Sequence, residues 1–170
     1  PTTTGDGDGD GDGDGDGDGD TGPQPDCDNL NPLPLDFVEV NGARRSEDFV
    51  FDAEGNLLSI RQNALFSAAY NEDYQLLFPG VSSNRTAGTA MLPNGDVVFN
   101  DVDWGRVTRV TPDGVTSTVV GSLPYPNGIQ VDQNGWVYVA LDDGASVIRF
   151  DPDNPVPETI ADTDGPNGLA

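Results

Sequence analysis

The sequence predicts an all-β fold, a β-propeller of four-stranded blades, and two observations carry that prediction. The first is a repeat: the turns DAEGN, LPNGD and DQNGW place Gly55, Gly95 and Gly135 at intervals of 40 residues. A unit that recurs at such a period is one supersecondary element stacked on its copies. The second is the hydrophobic pattern within a period. GIQVD, WVYVAL, SVIRF and ETIA in one unit, and GTAML, DVVFND, GRVTRV and VTSTVV in the unit before it, are apolar or alternating runs broken by Gly, Pro, Asn and Asp. Four short strands in about 40 to 45 residues is the size of a propeller blade.

Taken in order, residues 1–26 form an acidic Gly/Asp-rich linker. From Gly5 to Asp20 the two residues alternate without a break, giving eight aspartates and no apolar side chain to set against the entropy of ordering. The segment therefore reads as a disordered, self-repelling tether. Its alternative is calcium binding, because Asp at every second position resembles the first half of an EF-hand loop, although the later bidentate Glu and the flanking helices are missing. Cys27, the single cysteine, stands between Asp26 and Asp28 in a chain without histidine, which argues against a nucleophile. A disulfide to a cysteine elsewhere and a free thiol both remain open.

Residues 27–170 read as a partial propeller. LPLDFVEV, residues 33–40, alternates like a strand and is placed as the one that closes the ring within the last blade. Unpaired, it would promote aggregation. Blades are expected at about 46–80, 86–120 and 125–161, with the start of a fourth at 165–170, which makes about three and a half. The first is the weakest copy, since NALFSAAYNEDYQLLF resembles a helix and only the period makes it a blade. Asn-Gly and Asp-Gly pairs supply the positive φ that tight hairpins need. A beginning at Pro1 rather than Met, and an end inside a fourth unit, predict a fragment of a longer protein.

Composition narrows the function. The net charge is -23, and it is still -15 without the eight aspartates of the tract. All seven cations are scattered arginines, so no basic patch for nucleic acid or anionic lipid is expected. No apolar run approaches the ~20 residues of a spanning helix, so no membrane insertion is expected within the chain, while a lipid anchor upstream stays open. Tether and acidity together predict an extracellular, cell-surface or periplasmic protein. NRT at Asn84 is a glycosylation sequon if the context is eukaryotic and secretory.

Without histidine or lysine the chain offers no Ser-His or Cys-His pair, no His-based zinc site and no Schiff base. Chemistry must rest on carboxylates, amides and a hard cation, which points to calcium or magnesium. Glu47, Asn127 and Asn167 stand in one phase of the repeat, just ahead of the innermost strand of their blades, where residues from different blades approach the central channel. One carboxylate and two amide oxygens make a partial calcium site. The competing reading makes Asn127-Gly128 and Asn167-Gly168 turns entering a strand, and Glu47 a solvated charge.

SEDFVFDAEGNLLSI, DVDWGRVTRVTPDG, YPNGIQVDQNGWVYVALDDGASVIRFDPD and GPNGLA resemble the senescence-marker-protein-30, gluconolactonase and luciferin-regenerating-enzyme group of six-bladed propellers. YPNGIQVDQNGWVYVA is similar to NHL repeats as well. The resemblance covers about residues 33–170 and implies one divalent cation, usually calcium, in the channel. It makes Glu47 and Asn167 metal ligands and Asn127 a contact to water or substrate near the metal. The remaining ligand, a catalytic Asp, would fall about one period beyond Ala170, so the catalytic residues of this chain stay unknown. Two departures stand out: Asp48 and Phe49 replace a small residue and Pro, and Tyr125 replaces an Arg found in several sugar lactonases. The implied function is a calcium-dependent lactone or ester hydrolase once the ring is complete. The alternative is a non-catalytic, NHL-like surface propeller that binds a small molecule or a surface partner, with a structural metal or none.

Overall fold

A computed structural model of the chain describes residues 48–61, 63–69, 72–81 and 85–169. The Gly-Asp tract, Cys27, the strand expected at 33–40, Glu47 and Asn84 lie outside the described residues. Among the described residues there is no helix, and the strands form three antiparallel four-stranded sheets, each in sequence order. The first holds β1 (Val50–Phe51), β2 (Leu57–Arg61), β3 (Ala64–Ala68) and β4 (Gln75–Pro79). The second holds β5 (Thr86–Met91), β6 (Val97–Asp101), β7 (Arg106–Val110) and β8 (Thr116–Val120). β9 (Pro126–Val131), β10 (Val137–Leu141), β11 (Ser146–Asp151) and β12 (Asn154–Asp162) make the third.

Each sheet is a blade, and the helix-like stretch of the first unit is indeed two strands, β3 and β4. One boundary differs from expectation. DPDNPVP is not a gap throughout, because β12 already begins at Asn154 and includes Pro155 and Pro157. Proline lacks the N–H of a ladder donor, and an outer edge strand tolerates that loss. β12 is such an edge, exposed along its length, and its pairing with β11 shifts register near Arg149 and Asp151.

The blades are held face to face by two apolar seams. Leu58, Ile60 and Leu65 of the first blade pack with Val97, Phe99 and Val110 of the second. Val98 and Val107 of the second pack with Ile129, Val137, Val139, Ile148 and Phe150 of the third. Alternate residues of β6 thus serve opposite seams, which is why VVFND is buried at all five positions and reads as a continuous run instead of an alternating one.

At one end of the blades the turns after the inner strands repeat. Gly55, Gly95 and Gly135 take φ of 81°, 87° and 85°, and each N–H donates to the carbonyl three residues back, at Asp52, Leu92 and Asp132, over 2.9–3.0 Å. A residue with a Cβ in this left-handed region costs about 1–2 kcal/mol, so glycine recurs. Asp132 adds a side-chain brace. Burial pushes its carboxyl up, but the N–H groups of Trp136 and Asn134 and the Tyr138 hydroxyl donate to it and hold it below the usual carboxylate range.

Candidate functional site

The opposite end is built by the starts of the inner strands. β5 lies against β9 on one side and against β1 and β2 on the other. Backbones meet there at one phase of the repeat. A Cβ on Gly88 would stand 2.7 Å from the Asn127 carbonyl oxygen and 2.9 Å from Ile129 Cγ2, and one on Gly128 would stand 3.0 Å from the Gly168 backbone. Glycine at 88 and 128 is therefore a requirement of close backbone approach at this phase, whereas a Cβ on Gly168 would meet nothing within 4 Å.

In the first blade Asp48 occupies that phase and crosses the seam instead. Its Oδ2 accepts from the Thr89 N–H at 2.8 Å, its Oδ1 accepts from the Phe49 N–H at 2.8 Å, and the Ser59 hydroxyl donates to its carbonyl at 3.2 Å. Asn100 serves the next seam: its Nδ2 donates to the Asn127 carbonyl, while its own Oδ1 is buried without a partner. Below these contacts, Asp48, Val50, Thr89, Met91, Gln130 and Val131 line a cleft of about 250 Å³ on the inner-strand side.

Asn127 and Gly128 lie inside β9, and Gly128 is not among the residues of positive φ. This pair is thus extended strand and not a turn, and its glycine is required by the close approach of the Gly168 backbone. Asn127 is half-buried, and Asn167, past the end of β12, is exposed. Contact between Gly128 and Gly168 puts the two asparagines on adjacent backbones, one period apart. Glu47, the third predicted ligand, lies outside the described residues. Among the described residues no group of three or more His, Cys, Asp or Glu is gathered to hold a metal. The asparagine amides are neutral oxygen donors of the kind calcium accepts, and alone they fall short of its six to eight ligands.

Sequence reasoning missed three features of this end. Asn100 interrupts a phase that carries Ile60 and Ala140 in the other blades, a signal visible in the repeat. Asp101, fully buried, pairs through Oδ2 with Arg106 Nη2 at 2.9 Å and Nε at 3.0 Å, leaving Oδ1 without a partner. Arg85 donates to the Tyr125 hydroxyl and lays its guanidinium 4.9 Å over the Tyr125 ring.

Three successive four-stranded blades, stacked through apolar seams with their inner strands side by side, define a partial β-propeller. Among solved structures the chain is similar to a gluconolactonase from Xanthomonas campestris, at 22% identity and a TM-score of 0.62 over 73% of this chain and 49% of that one. It is similar to regucalcin, a calcium-binding protein from Agrobacterium tumefaciens, at 20% and 0.55 over 72% and 48%. A virginiamycin B lyase from Staphylococcus aureus matches at 14% and 0.60 over 72% and 44%. The chain spans less than half the length of each of these proteins. Identities this low carry the fold, which is the propeller architecture of the group that the sequence resembles. No protein-family model and no curated protein sequence matches the chain.

Proposed function

We propose that the chain belongs to an extracellular, cell-surface or periplasmic propeller, held by its acidic tether, that hydrolyses a lactone or similar ester with the aid of calcium once its ring of blades is complete. The observation that carries this reading is the close approach of the Gly128 and Gly168 backbones, which sets Asn127 of β9 and Asn167, beyond β12, on adjacent backbones at one end of the blades. Likeness in fold to a gluconolactonase and to a calcium-binding protein supports it. Asn167 and Glu47 would hold the ion, Asn127 would orient water or substrate beside it, and calcium would supply polarisation of the ester carbonyl. Acid release from D-glucono-δ-lactone by the complete propeller, followed in a pH-stat, is expected to require calcium, to stop on adding a chelator and to resume on restoring the ion. Calcium-independent release at the uncatalysed rate would remove the hydrolase reading. A non-catalytic binding propeller is the second reading. Asp48 favours it, since a carboxylate committed to the Thr89 N–H stands where the lactonases carry a small residue.

A further inference from the structure

Residues 85, 125 and 165 share one phase at the same end of the blades. Val102 N–H donates to the Arg85 carbonyl and Asp142 N–H to the Tyr125 carbonyl, both at 3.0 Å, so the two backbones are anchored alike, one period apart. Tyr125 and Gly165 are both left-handed, with φ of 51° and 62°. Glycine adopts that conformation freely, whereas an L side chain there costs about 1–2 kcal/mol. Tyr125 joins neither apolar seam, so no core packing offsets the cost. What its side chain does is seat Arg85, by hydroxyl and by ring.

Arg85 is itself unusual in this chain. With a net charge of -23, an arginine has no shortage of partners. Arg106, Arg109 and Arg149 each pair with carboxylates. Arg85 is exposed, and none of the ion pairs among the described residues includes it. Its guanidinium keeps four of five N–H donors after bonding the tyrosine, and the tyrosine hydroxyl keeps its own proton to donate. The pair therefore presents donors only, already oriented, on a planar fork that matches a carboxylate.

We propose that Arg85 and Tyr125, the latter two residues ahead of Asn127 and just before β9, form a recognition arm that binds the carboxylate of a small hydroxy acid. The lactone reading supplies only the choice of probe, D-gluconate, the acid that such chemistry releases. The arm needs neither calcium nor turnover. Calorimetric titration is expected to detect D-gluconate and not sorbitol, which carries the hydroxyls without the carboxylate. Arg85→Gln should weaken gluconate binding at least tenfold, and Arg85→Lys should recover part of it. Tyr125→Gly should weaken binding as well, with a melting temperature equal to or above that of the parent, because it relieves the left-handed strain. Equal binding of the two probes, no gluconate binding, or unchanged affinity in Arg85→Gln would overturn the proposal. A lower melting temperature with unchanged affinity in Tyr125→Gly would do the same, by making the pair structural. Calcium affinity in Arg85→Gln should match the parent, so loss of the arm and loss of the metal reading are distinguishable.

Discussion

Gly88→Val is expected to destabilise the fold by about 3 kcal/mol, at the upper end for overpacking a tight contact. Gly88 has no side chain because β9 leaves it no room. A Cβ there would meet the Asn127 carbonyl oxygen at 2.7 Å and the Ile129 nitrogen at 3.0 Å, and both are backbone atoms that can retreat only if β5 and β9 part. Parting them opens the seam formed by Ala90, Ile129, Val137 and Val139. Thermal unfolding followed by circular dichroism should report a midpoint lower by roughly 10 °C, from the usual scaling of stability to melting temperature for a domain of this size. A change within about 2 °C would mean that the inner strands do not meet at this phase.

Arg106→Ala is expected to cost a comparable amount, about 3 kcal/mol. Removing one partner of a buried pair leaves the other charge uncompensated, typically at 3–5 kcal/mol, and the quarter exposure of Arg106 places this case at the low end. Asp101 is 0% exposed, and its one paired oxygen depends on that guanidinium. Adding Asp101→Ala to Arg106→Ala should recover most of the loss, since a pair replaced as a unit is far cheaper than a pair broken. Urea titration of both single variants and the double variant checks this. Additive losses would show that the two side chains act independently.

The fold was legible because its two main determinants are local and periodic. Gly55, Gly95 and Gly135 take the positive φ that their turns demand, and central strands covered on both faces write themselves as apolar runs. The start of β12 was not legible, because Pro155 and Pro157 read as interruption wherever the strand's place in the sheet is unknown. Asn127-Gly128 was ambiguous for a related reason. A glycine required by a left-handed backbone and one required by a neighbouring backbone are the same letter, and only the place of Gly128 in β9 beside Gly168 separates them. Asn127 and Asn167 were found from their phase, which does survive in sequence. Arg85 and Tyr125 share a phase as well, but a bond between blades depends on how side chains point, and spacing does not encode that. Asp48 was read as a departure from a family pattern, and its bond across the seam to Thr89 became apparent only with the strands in place.

The proposal that one phase of the repeat forms a calcium site is tested most directly by calorimetric calcium titration of the protein and of its Glu47→Gln and Asn167→Ala variants. About 0.15 M salt should be present, to screen weak condensation on the Gly-Asp tract. A single saturable site in the parent, weakened at least tenfold in each variant, is the predicted result. Equal affinity in all three proteins, or heats that vanish with added salt, would contradict it.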